Sequence, residues 1–191
     1  MKIRIGFFSV MLFFSLLLSH SYFAIAALLA IFIHELGHIA ISHILKIKFS
    51  ECTIGIFGAS LTPVHLRYSY HDEIFLSMGG PLFNLLSVIA VIPFTVALKS
   101  EFLLYFTLSS VTLALFNIMP IRDLDGGRIV HSLLCIYANE RTADALISIS
   151  SFATIFILWL ISVYFLLVGG SNFSLFIFSL SVFSKLFIKE I

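Results

Sequence analysis

Charge is what this chain has least of: Lys, Arg, Asp and Glu make up only 11% of its 191 residues, less than half the share in an ordinary soluble domain. The 11 basic and 10 acidic side chains nearly cancel, leaving a formal net charge of +1. A balance of this kind provides no basic footprint, so no nucleic-acid partner is expected. Cysteine is almost as rare. The two present, Cys52 and Cys135, have no metal-type C-x-x-C spacing and lie in segments expected on the cytoplasmic side, where thiols stay reduced, so both read as structural. No Pro/Gly/Ser-rich linker, internal repeat or charge block interrupts the chain, so residues 1–191 read as one unit. Apolar residues are abundant instead. They make up 60% of the sequence, with 22 Phe and a mean hydropathy of +1.12, a composition that belongs to a polytopic membrane protein whose solvent is the lipid bilayer.

About 20 apolar residues are needed to cross the hydrocarbon, and short polar breaks divide the sequence into six such runs, at 4–19, 22–45, 74–98, 102–120, 143–168 and 172–187. The first resembles a signal peptide but lacks a small-x-small cleavage site, so it is expected to stay as a span. Gly79, Gly80 and Pro81 interrupt the third run and Pro93 is expected to kink it. With a cytoplasmic N-terminus, Lys2, Arg4, Lys46, Lys48, Arg67, Arg122, Arg128, Arg141, Lys185 and Lys189 all fall inside and only Lys99 outside. The positive-inside rule thus predicts an all-α membrane protein of about six helices, multi-pass in the cell membrane, with both termini cytoplasmic. The interval 49–70 differs. Its apolar stretch Ile54–Leu61 is broken by Gly55 and Gly58 and too short to cross, which suggests a re-entrant or β-hairpin-like segment between the second and third spans. Such an edge could pair with an unwound substrate strand or simply pack as a loop.

Three ionisable side chains, His34, Glu35 and His38, lie within five residues of the second apolar run. Each costs a few kcal/mol to place there, so a use is implied. Spacing of i, i+4 sets the histidines on one helical face about 6 Å apart along the axis, where two neutral imidazoles can converge on Zn²⁺. In this H-E-x-x-H arrangement the glutamate is the general base toward a metal-activated water. A catalytic zinc needs a third protein ligand. Ile41 and Ile44 stand where a metzincin would have glycine and histidine, which excludes that class. Asp125 and Asp123 both follow the fourth run at similar depth; the Gly126-Gly127 pair after Asp125 favours it by allowing close backbone approach. Asn84 is either interhelical glue or an amide that orients a substrate carbonyl.

His34-Glu35-Leu36-Gly37-His38, then Gly80-Pro81-Leu82-Phe83-Asn84, then Asn117-Ile118-Met119-Pro120 followed by Leu124-Asp125-Gly126-Gly127 resemble in order and spacing the site-2 protease family of intramembrane zinc metalloproteases. The resemblance implies that His34, His38 and Asp125 hold Zn²⁺, that Glu35 is the catalytic base and that Asn84 is an active-site amide. It implies a zinc-dependent metalloendopeptidase acting on a membrane-associated protein substrate near the cytoplasmic face, with inhibitory membrane proteins as further candidate partners. The layout, without a PDZ domain, looks most like the bacterial stage IV sporulation protein FB group, whose members cleave a pro-sigma factor. Those members carry a cystathionine-β-synthase-type domain after the last span, and the sequence given ends at Ile191 without one. Two rivals of other classes remain: a metal-ion or proton transporter, since intramembrane His, Asp and Glu also line ion pathways, and an inactive relative, which should have lost a ligand or the base.

Overall fold

In the computed structural model, residues 2–5, 21–47, 49–55, 58–63 and 69–169 are described. The expected last span at 172–187 lies outside them, and so does the first at 4–19 except for Arg4 and Ile5. These two belong to a strand, β1 (Lys2–Ile5), so no membrane helix begins at residue 4.

By its internal contacts the chain divides into two units, Met1–Ile118 and Met119–Ile191. The first is built on three helices packed pairwise: α1 (Tyr22–Ile44), α2 (Tyr70–Leu98) and α3 (Glu101–Asn117). The buried face of α1 runs Ala26, Ala30, His34, His38, Ser42, with Gly37 beside it. Four-residue spacing keeps these positions on one stripe, and the small residues bring the neighbouring helices close. Ala26, Ala30 and Phe106 form the core, with Ile33, Val91, Phe102 and Tyr105 packed around them. Helix α2 opens with a capping box, in which the Ser69 side chain accepts from the backbone while Asp72 accepts from the Ser69 N–H, satisfying two donors at the helix start. It then runs unbroken past Pro81 and Pro93. The expected interruption at Gly79–Pro81 does not occur, because in a bundled apolar helix neighbouring groups compensate the backbone bonds a proline removes.

Two further strands, β2 (Phe49–Gly55) and β3 (Gly58–Pro63), connect α1 to α2. They pair antiparallel, Ile54 opposite Ala59 and Cys52 opposite Leu61, while β1 pairs parallel to β2 on its other side. Among the described residues the sheet order β1-β2-β3 leaves β3 as an edge, and β3 lies beside α1.

The second unit holds α4 (Asp125–Tyr137) and α5 (Glu140–Gly169). The fourth apolar run stops as a helix at Asn117, short of the expected residue 120, and the amphipathic helix α4 follows a turn. Large apolar side chains such as Phe32, Leu86, Ile89, Phe94, Ile157 and Phe165 are exposed. In water this would be unfavourable. Among the described residues three helices, Tyr22–Ile44, Tyr70–Leu98 and Glu140–Val168, are long and apolar enough to cross a membrane, and α3 is a shorter apolar helix.

Candidate metal centre

His34 and His38 are both buried, one turn apart on α1, with rings nearly perpendicular and centroids 4.9 Å apart. Helix α2 supplies a partner to each. The His38 Nδ1 atom is 2.9 Å from the carbonyl oxygen of Leu76; a carbonyl only accepts, so Nδ1 carries the proton and Nε2 is left with a lone pair. That lone pair faces the other histidine, for the two Nε2 atoms are 3.3 Å apart. Two nitrogens each about 2.05 Å from a tetrahedral zinc would lie about 3.3 Å apart, so the pair is spaced for one ion.

Glycine makes the room. A Cβ on Gly80 would stand 2.5 Å from both Nε2 atoms, and its absence leaves a cradle above the backbone of α2 onto which both nitrogens open. One turn further along, the Nδ2 atom of fully buried Asn84 is 3.2 Å from His34 Nδ1, so both imidazoles have a partner on the ring nitrogen away from the cradle. Support of this sort, through the second nitrogen, orients metal-binding histidines. The approach of α2 to α1 rests on a further pair: a Cβ on Gly37 would be 2.3 Å from the Gly79 carbonyl oxygen, and one on Gly79 2.7 Å from that of Gly37. Glu35, partly exposed, follows His34 on the same turn of α1.

In the second unit Asp125 is the first residue of α4 and is buried, whereas Asp123 is exposed in the preceding turn. The positive end of the helix dipole favours an anionic side chain at that position. The turn is pinned from α5: the Arg122 N–H donates to Ser151 Oγ at 2.9 Å, and Ser150 Oγ donates to the Pro120 carbonyl at 3.1 Å. Arg122 also pairs with Asp144, which lies 3.3 Å from His131. Gly127 lets the turn fold back over the helix, since a Cβ there would be 2.0 Å from the Ile121 oxygen.

A family model described as peptidase family M50 matches residues 95–161, a stretch that includes Asp125 and lies C-terminal to the H-E-x-x-H helix. No curated protein matches the chain. Among solved structures, the site-2 protease from Methanocaldococcus jannaschii superposes with a TM-score of 0.69 at 18% identity, over 96% of this chain and 88% of that one. The chain has a site-2 protease fold. At this identity the likeness concerns the fold alone.

Sequence patterns singled out His34, Glu35, His38, Asn84 and Asp125 as candidates, but not the contributions of Gly80 and the Leu76 carbonyl. A backbone carbonyl has no residue signature. Gly80 stood out as a break in an apolar run and as the start of the Gly80–Asn84 stretch, with no role of its own, and its position over two imidazoles depends on the register of α2 against α1.

Proposed function

We propose that this chain is an intramembrane zinc metalloendopeptidase that hydrolyses a peptide bond of a membrane-associated protein near the cytoplasmic face. The observation that carries the reading is the convergence of the His34 and His38 Nε2 atoms, 3.3 Å apart over the backbone of Gly80. On this reading Asp125 completes a three-ligand catalytic set. When bound, zinc supplies a Lewis acid that makes water nucleophilic near neutral pH.

The rest is the work of the chain's own groups. His34 and His38 bind as neutral imidazoles, His38 held in that form by its proton on Nδ1. Glu35 takes the proton of the attacking water and passes it to the leaving amine, which requires a carboxylate that can change protonation during the reaction. The bias of Lys and Arg toward one side of the spans supports a multi-pass topology with both termini cytoplasmic, in which the histidines would lie near the inner surface. By resemblance to the sporulation group, a pro-sigma factor is the first substrate to try.

Glu35→Gln tests the reading. The amide keeps size and hydrogen bonding but accepts no proton, so the variant is expected to fold and hold zinc while releasing no shortened product from a co-expressed single-span reporter. Cleavage at the wild-type rate would remove Glu35 as the base and with it the proposed hydrolysis.

A further inference from the structure

Asn84 is fully buried in the middle of α2 and touches His34 with one end of its amide; the other end, Oδ1, finds no hydrogen-bond partner among the described residues. Two arrangements of protons satisfy the pair. With Nδ2 toward His34, the amide donates to Nδ1, the imidazole proton moves to Nε2, and that N–H donates across 3.3 Å to His38 Nε2, whose lone pair the Leu76 carbonyl has already fixed. The chain of donors then runs from Asn84 through His34 to His38 without a break, and the His34 lone pair needed by a cation is tied up at Nδ1. A half-turn of the amide about its last torsion reverses this. Oδ1 then accepts from His34 Nδ1–H, and both Nε2 lone pairs face each other over Gly80, an arrangement that is repulsive until a cation lies between them.

We propose that Asn84 is a positioning residue that acts through His34: turning its amide oxygen to Nδ1 selects the imidazole form that binds metal, and turning its nitrogen there stabilises the metal-free pair. An amide can do both because it carries a donor and an acceptor on one planar head. A carboxylate only accepts, and an apolar side chain of similar size does neither. The assignment rests on the zinc reading above, and it gives Asn84 work that needs no contact with substrate.

The experiment uses the full-length protein in detergent. Zinc affinity is measured by competition with a chelator for wild type, Asn84→Leu and Asn84→Asp. Removing an orienting partner of a metal-bound histidine weakens metal binding by roughly 10- to 100-fold, so Asn84→Leu should lose that much, while Asn84→Asp, which keeps the acceptor, should bind within a few-fold of wild type or more tightly. Asn84→Leu holding zinc like wild type would overturn the proposal, and lost cleavage in that case would point to a contact with substrate. Equal weakening in both variants would also overturn it. Should Asn84→Leu not fold, nitrogen-15 NMR of zinc-loaded wild type decides: a proton on His34 Nδ1 with zinc at Nε2 is expected, and zinc at Nδ1 rules the role out. Absence of zinc from the wild type would instead refute the metalloprotease reading, a result distinct from all of these.

Discussion

Gly80 presents a hydrogen where any other residue would place a carbon 2.5 Å from both imidazole nitrogens. Gly80→Ala should therefore push His34 and His38 apart, or fill the space between them and the backbone. If the proposed zinc site is right, wild type holds roughly one zinc per chain and the variant should lose most of it, read by elemental analysis, with helix content by circular dichroism close to wild type. Full zinc retention would show that the ion does not sit over α2. A second comparison separates the two aspartates. Asp125 is buried at a helix start and Asp123 is exposed, so Asp125→Ala should lose zinc and Asp123→Ala should keep it; the reverse would exchange their roles. The H-E-x-x-H residues were legible in the sequence because their relation is local, fixed by one helical turn. The contact between His34 and Asn84 joins residues 50 positions apart, and no local pattern encodes the helix register that creates it.

At the scale of elements, the close crossing of α1 and α2 depends on Gly37 and Gly79, each of which would place a Cβ within 2.7 Å of the other's backbone carbonyl oxygen. Backbone cannot yield as a flexible side chain can. Gly37→Ala should separate the helices and destabilise the protein by about 1–3 kcal/mol, the usual range for overpacking a tight contact, lowering its thermal midpoint in detergent; an unchanged midpoint would mean that the helices do not pack at this point. Because Leu76, Gly80 and Asn84 all reach the histidines from α2, zinc affinity should fall in the same variant. The helices α1, α2 and α5 could be read from apolar run length, with boundaries displaced by a few residues. Proline misled the reading of α2: in water Pro81 would break a helix, whereas among packed apolar helices the chain continues. Helix α4 was missed for the opposite reason. Its 13 residues are amphipathic and short, and the pattern was masked by the search for long apolar runs.

At the scale of the molecule, the proposed protease activity meets a difficulty with its substrate, because the histidines lie on a membrane-length helix. A transmembrane helix hides its carbonyls in i to i−4 hydrogen bonds, so the proposed hydrolysis requires a segment that unwinds near the cytoplasmic boundary. On the proposed reading, strand β3, an edge among the described residues that lies beside α1 in the same unit, is where such a segment could regain main-chain hydrogen bonds and stay extended while Glu35 takes the proton of the water that attacks its exposed carbonyl. Unwinding is then part of the barrier, and the substrate's own helix preference should set the rate. Replacing a proline by leucine returns about 3 kcal/mol of helix preference, enough to lower the unwound population by about two orders of magnitude; a glycine replaced by leucine should change it several-fold. A single-span reporter carrying Pro, Gly or Asn near its cytoplasmic end should be cleaved readily, and its all-leucine version slowly, when the two are co-expressed with the wild-type protein and shortened product is followed by blot. Equal cleavage of both reporters would eliminate the unwinding step. It would leave the hydrolytic site standing, provided that Glu35→Gln still abolished the product.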